Sequence, residues 1–399
     1  MKREGTAPST NSGTPQFGRT NLLRSHPLRH AVVMMVFLWI IFSVNSFRNP
    51  LTPIAMSDSN SGAAIRQLLF SSAGLVSLAL LFLTRNLETV LTMNRRMLAL
   101  SLLLPASVLW SAAPALTVKR SILFLFCLIT LYTITYSSRK PVRQMLLIIV
   151  SSTAFIAFIS IAIHFAFGQA YTVNPARPGL AGISSHPNSL APVLSIGFIL
   201  SLGLTYKSIR SMLIGRISQA FLAIGHILTT SITTLVATLV GCGLYVMLAS
   251  SRYRRGALQL LIISAFALFN LIGWSNIKSA IFQATGKDES LSGRDQLWAA
   301  IVREGSKTPI FGNGFGAFWT EGKGRELVHT WNPRQSHNSY IDLWLDLGVF
   351  GCTIFFAAYL VPLWFRWPSI RGAPGSDQRR TISALYATML SYLLIRGLG

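Results

Sequence analysis

Acidic side chains are scarce in this chain: 12 Asp and Glu stand against 35 Lys and Arg in 399 residues. Charge of either sign is thin, at 12% of residues, where a soluble domain carries about one-quarter. That deficit excludes an ordinary water-soluble globular protein. Cysteine is sparser still, with three residues. Cys127, Cys242 and Cys352 all lie inside apolar segments with no CxxC or Cys/His spacing, which argues against both a disulfide framework and a zinc site. No Walker motif, zinc-protease motif or GxSxG occurs, so ATP-driven transport and serine hydrolysis gain no support. A net charge of +23 would suggest nucleic acid in a soluble protein. Here the cations sit in short runs between apolar segments, as charges that set membrane orientation do, and no basic stripe lies on a foldable soluble unit. No nucleic-acid partner is expected; the expected surroundings are a lipid bilayer.

What is present is apolar sequence, 51% of residues, with a mean hydropathy of +0.50. A membrane helix needs about 20 mostly apolar residues. Candidate spans are 31–47, 67–84, 97–112, 121–137, 145–167, 188–206, 257–275, 339–363 and 381–397. The stretch 217–250 is too long for one span and carries a polar break, Thr229-Thr230-Ser231-Ile232-Thr233-Thr234; it is read as two helices meeting in a tight turn. The expected fold is therefore all-α, a polytopic integral membrane protein of about eleven spans. A polar tail (1–30) precedes a bundle of nine spans (31–275), a large loop (276–338) and the last spans (339–399). The tail lacks a cleavable signal peptide and reads as disordered and cytoplasmic. The last apolar segment runs to Gly399, so further C-terminal sequence is expected.

Orientation follows from counting cations. With the N-terminus inside, the inner loops collect Arg85, Arg95, Arg96, Arg139, Lys140, Arg143, Lys207, Arg210, Arg216, Arg252, Arg254, Arg255, Arg366, Arg371, Arg379 and Arg380. The short outer loops hold only Arg48, Arg66, Lys119, Arg120 and Arg177. The long loop is excluded, because segments of about 60 residues translocate largely regardless of charge. The polar motifs at 172–189, 229–234 and 293–338 then share the outer face, where they can converge on one site.

Within the long loop, Leu297, Trp298, Ile301 and Val302 recur as i, i+1, i+4, i+5, which predicts a short amphipathic helix over 295–305 able to lie on the bundle. Gly312, Gly314 and Gly316 form either a tight turn or a nest of backbone amides for an anion, the turn being favoured. His337 opens the next span, crowded by Asn338, Tyr340, Asp342 and Asp346. An imidazole in such company is a candidate proton acceptor, while Asn338 and Ser339 have helix capping as a competing role. Arg294 offers a guanidinium to phosphate oxygens or a surface ion pair to Asp295 or Glu304. Arg177 and His186 lie in the outer loop 175–188.

Several of these pieces together resemble the O-antigen ligase / polysaccharide polymerase family: Gly293-Arg294 with Leu297-Trp298, then Pro309-Ile310-Phe311-Gly312-Asn313-Gly314-Phe315-Gly316, then His337-Asn338-Ser339-Tyr340 with Asp346-Leu347-Gly348. Upstream, Trp110-Ser111 with Pro114-Ala115-Leu116-Thr117, and Gly182-Ile183 with His186-Pro187-Asn188, are also similar to that family. The likeness covers roughly residues 100–365 and is nearest to exopolysaccharide polymerases of the ExoQ type. It implies a metal-independent, cofactor-free glycosyltransferase in the bacterial inner membrane. Its substrate would be an undecaprenyl-diphosphate-linked glycan at the periplasmic face, with polysaccharide-export or chain-length proteins as candidate partners. By position it implies catalytic roles for Arg294 and His337 and substrate contacts by Arg177, His186, Asn338, Tyr340 and Asp346. One departure stands out: family members carry a cation in the Thr230-Ser231-Ile232-Thr233 turn, where this chain has Ile232. Polymerases pass the glycan to another lipid-linked repeat, ligases to lipid A–core. The rival readings are a transporter of a small anion or sugar and a structural partner in an export complex.

Overall fold

A computed structural model describes residues 28–43, 63–86, 95–168, 173–174, 177–184, 186–249, 294–320, 324–327, 335–371 and 377–397. Nearly all of them are helical: α1 (Leu28–Ser43), α2 (Ala63–Leu83), α3 (Arg95–Ala106), α4 (Pro114–Ser137), α5 (Pro141–Phe167), α6 (Pro187–Ser201), α7 (Ile209–Leu228), α8 (Ile232–Ala249), α9 (Arg294–Gly305), α10 (Ser339–Arg371) and α11 (Asp377–Arg396). Short 3-10 turns cover Ser107–Trp110 and Gly324–Glu326. The span expected at 257–275, most of the tail at 1–30 and loop residues 276–293 lie outside the described residues.

Helix starts follow local chemistry. Proline occupies the first turn of α4, α5 and α6, where its fixed φ suits the helix and its missing N–H removes no intrahelical bond. Ser208 opens α7 through a capping box with Ser211. These signals explain two corrections. Helix α7 begins at Ile209 rather than 217, because the cap sits ahead of a polar turn whose Arg210 and Arg216 remain exposed. Helix α4 begins at Pro114 rather than 121, carrying Lys119 and Arg120 on its first turns. The expected turn inside 217–250 is present: α7 ends at Leu228 and α8 begins at Ile232. An all-α expectation also needs one amendment. Val173–Asn174 and Arg177–Leu180 pair as a small antiparallel hairpin, β1–β2.

Among the described residues, five helical stretches are long and apolar enough to cross a membrane by length and composition: α4, α5, α7, α8 and Ser339–Ala358 of α10; five further apolar helices are shorter. The protein is a multi-pass helical membrane protein. Helix α6 lies at its centre, packed by α5, α7, α8 and α11, while α1, α2, α4 and α5 form a second group. Small residues permit close approach, as membrane helix interfaces favour. A Cβ at Gly197 of α6 would lie 2.7 Å from the Thr153 Cβ of α5 and 3.0 Å from Leu222 of α7. Many buried hydroxyls are paired within the bundle. Thr133, Thr153 and Ser195 each donate to the carbonyl one turn back at 2.8–2.9 Å. The buried His226 Nε2 sits 3.3 Å from both Ser195 Oγ and Thr238 Oγ1, a polar tie joining α6, α7 and α8.

The polar chain after α9 does not float above this bundle. Leu297 and Ile301 of α9 are fully buried against Phe318, Trp319 and Leu345, so the amphipathic helix does lie on α10. Val302 is 53% exposed, which narrows the predicted apolar face.

Helix α10 is broken at Gly348 (φ 64°), and the break frees backbone groups that a helix would have paired. The turn at 309–314 takes them up reciprocally. Asn313 and Gly314 amides donate to the Leu345 and Asp346 carbonyls, each at 2.8 Å. Val349 and Phe350 amides donate to Pro309 and Ile310 at 2.9 and 3.0 Å. In a bilayer each such group left unpaired would cost several kcal/mol. The turn and the break therefore form one unit.

Candidate functional site

Gly312, Gly314 and Gly316 all adopt left-handed backbone (φ 69°, 92° and 68°), a conformation open to glycine at little cost. Their surroundings decide between turn and anion nest. The Gly312 amide donates to Thr308, Phe315 donates to Ser107 Oγ at 3.0 Å, and the Gly316 amide reaches the Asp346 carboxylate. The Ala112 amide in turn donates to the Asn313 carbonyl at 2.8 Å, and the Arg120 guanidinium to that of Gly316. With its amides engaged inside the protein, the run is a tight turn that ties the α3–α4 junction to α10.

Two other pieces of chain meet at the same end of the bundle. The hairpin β1–β2 rests on the α7–α8 turn: a Cβ at Gly179 would meet the Thr230 Oγ1 at 2.5 Å. Below it, Ser231 Oγ donates to Asn188 Oδ1 at 3.1 Å and contacts Thr234 Oγ1 at 3.0 Å. Asn188 opens α6, and its amide donates to His186 Nδ1 at 3.1 Å, so His186 is the N-cap. That bond fixes the neutral ring with its proton on Nε2.

Across from His186, residues 335–339 lead into α10. Ser336 Oγ donates to the Asn338 carbonyl at 2.6 Å and accepts the Asn338 amide at 3.0 Å. Asn338 Oδ1 accepts the Tyr340 and Ile341 amides at 3.0 and 3.3 Å, so capping is a role it performs. Asp342 Oδ1 accepts the Ser336 amide at 3.0 Å and the Trp319 indole at 2.9 Å. His337, held between these anchors, has φ 59°. Left-handed backbone in a non-glycine residue is a strain of order 1–3 kcal/mol that the neighbouring hydrogen bonds must over-determine. The Gln335 side chain lies 3.5 Å from His337 Nδ1.

His186 and His337 line one cavity of about 510 Å³, together with Asn188, Asn338, Asp342 and Arg396. The structure thus brings His186, His337 and Asn338 together. It places Tyr340 and Asp346 elsewhere. The Tyr340 hydroxyl donates to the Leu394 carbonyl at 2.5 Å and its ring stacks on Phe356, joining α10 to α11. Asp346 holds the glycine turn. Arg177 lies on β2 and Arg294 begins α9; α9 is tied to the cavity wall where the Trp298 indole donates to the Ser336 carbonyl at 2.9 Å. Among the described residues no cluster of His, Cys, Asp or Glu could hold a metal ion.

Arg396 was not singled out by the sequence reading. In the sequence it is only a cation near the end of the apolar span 381–397, with no spacing that ties it to His186 or His337.

Residues 217–356, from α7 to the middle of α10, match the O-antigen ligase family. The chain is also 26% identical over 271 residues to the exopolysaccharide production protein ExoQ of Rhizobium meliloti (strain 1021), an overlap of 61% of this chain and 59% of that protein. The glycine turn, the broken helix and the histidine loop fall largely inside that match, so the chain is similar to the O-antigen ligase family over the part that builds this end of the bundle. The matched stretch spans less than two-thirds of ExoQ's length.

Proposed function

We propose that this chain is a glycosyltransferase that polymerises undecaprenyl-diphosphate-linked oligosaccharide repeat units at the periplasmic face of the bacterial inner membrane. It would do so as an eleven-span protein with a cytoplasmic N-terminus and a periplasmic loop at 276–338. The observation that carries this reading is the cavity in which His186, His337, Asp342 and Arg396, from three separate segments, face one space. Such a space suits a ligand whose tail stays in lipid while its charged and sugar parts need polar walls.

In the proposed reaction the acceptor sugar hydroxyl attacks the anomeric carbon of the donor. The new carbon–oxygen bond forms as the bond from that carbon to the diphosphate breaks, and the hydroxyl proton passes to His337. Negative charge builds on the leaving lipid diphosphate, and cations placed for it in advance lower the barrier. Arg294 and Arg396 are the proposed donors, with Arg177 and His186 binding the substrate from the facing hairpin loop. Asn338 contributes by setting the start of α10 and with it the orientation of His337. Polymer length in cells carrying Arg294→Ala or His337→Ala at normal membrane levels tests these roles. Loss of long polymer is expected; wild-type polymer in both strains would eliminate them.

A ligase is the second reading, favoured by the description of the matching family as O-antigen ligase. Deletion separates the two. Accumulation of lipid carriers bearing single repeat units supports the polymerase, whereas accumulation of finished, untransferred polymer supports the ligase.

A further inference from the structure

The opposite end of the bundle has a cavity of its own, of about 250 Å³. Thr381, Ile382 and Leu385 of α11 line it, whereas Arg396 of the same helix lines the histidine cavity. From Thr381 to Arg396 a straight helix rises about 22 Å, so the two spaces lie on opposite sides of the protein's apolar belt. Three cations converge on the second one from two connections: Lys140 and Arg143 at the start of α5, and Lys207 between α6 and α7. None of them forms an ion pair among the described residues. The N-cap position of α5, Lys140, makes no side-chain cap bond, so the positive end of a 27-residue helix adds to the same field. The rest of the wall is apolar or hydroxylated: Val142, Leu146, Leu204, Ile382, Leu385 and Thr381.

We propose that this cavity binds the headgroup of an anionic phospholipid from the leaflet opposite the histidine cavity. A phosphodiester supplies the negative charge that the three cations lack, and its acyl chains continue the apolar wall toward the lipid. Charges scattered only to orient a chain would not need a shared concave space or an apolar floor. Basic pockets between membrane helices recognise lipid headgroups by this combination of point charges and apolar walls. The inference stands independently of the glycosyltransferase reading, since it uses none of that site's residues.

The test is native mass spectrometry of the full-length protein purified in detergent, with phosphatidylglycerol, phosphatidylcholine or inorganic phosphate added. Wild-type protein should retain phosphatidylglycerol at least about ten-fold better than phosphatidylcholine. The triple variant Lys140→Gln, Arg143→Gln, Lys207→Gln should lose that preference. A matched triple at the other end of the molecule, Lys119→Gln, Arg303→Gln, Lys307→Gln, should keep it, as should Lys140→Arg with Lys207→Arg. The proposal is overturned if the first triple retains the preference, if both triples lose it equally, or if wild type shows none. Displacement of phosphatidylglycerol by excess inorganic phosphate would assign the cavity to a soluble anion and overturn the lipid claim.

Discussion

At the scale of single residues, the proposed chemistry turns on an imidazole held in left-handed backbone. The backbone on either side of His337 is anchored by bonds among Ser336, Asn338 and Asp342, residues that are not themselves required to react. Its replacement therefore separates geometry from chemistry. Asparagine tolerates left-handed backbone well. His337→Asn should keep membrane abundance and thermal stability while lowering polymer synthesis by about 10²–10⁴-fold, the range lost with a general base. Normal synthesis in that variant would leave His337 a structural residue. Arg396→Ala should also reduce synthesis, with Arg396→Lys recovering part of it, as a charge-holding role requires; chain-length analysis of the extracted polymer measures both. His186, His337 and Asn338 were legible from sequence because each opens a helix beside a distinctive polar run. Arg396 was not, because only the folded chain brings the end of α11 to the start of α10. Tyr340 and Asp346 share His337's sequence neighbourhood, but helix periodicity and the break at Gly348 turn them toward α11 and the glycine turn.

At the scale of elements, the broken helix and the glycine turn stand or fall together. A Cβ on Gly348 would meet the Ile310 carbonyl as well as the Phe311 amide at 2.5 Å, and φ 64° strains any side chain there. Gly348→Ala should therefore destabilise by at least about 2 kcal/mol, read as a lowered unfolding temperature in detergent. Gly243→Ala is the control: on α8 a Cβ would touch nothing within 4 Å, and the change should be neutral or stabilising by up to about 1 kcal/mol. Equal effects of the two would contradict the pairing of break and turn. Asp346 belongs to the same unit. Asp346→Asn keeps an acceptor for the Gly316 amide and should preserve more stability than Asp346→Ala, whichever of them alters polymer yield. Spaced glycines signalled a turn in the sequence, and the polar break at 229–234 signalled the α7–α8 reversal. The helix break itself was unreadable there, since a lone Gly348 near the start of a long apolar segment carries no break signal and its partners lie more than thirty residues earlier. The starts of α4 and α7 were misplaced for a related reason: hydropathy marks where lipid begins, whereas proline and serine caps mark where the helix does.

At the scale of the whole molecule, the bundle has two unlike ends. Residues 177–188, 229–231, 309–316 and 335–342 gather at one, and the Lys140–Arg143–Lys207 cavity marks the other. The loop count assigns the first end to the periplasm. Single cysteines at Ser339, which is exposed and lines the histidine cavity, and at Ser208, exposed beside Lys207, test that assignment in intact cells. A membrane-impermeant maleimide should label the first and spare the second until the cells are opened. The reverse pattern would place the cavity in the cytoplasm and remove its proposed substrate from reach. The most direct measurement is polymerisation by the purified full-length protein, given defined undecaprenyl-diphosphate repeat units and no added metal. Wild type should release lipid diphosphate and build a ladder of products, while His337→Asn protein of equal stability should leave single repeats. A ladder from both proteins, or from neither, would contradict a polysaccharide polymerase working through this cavity.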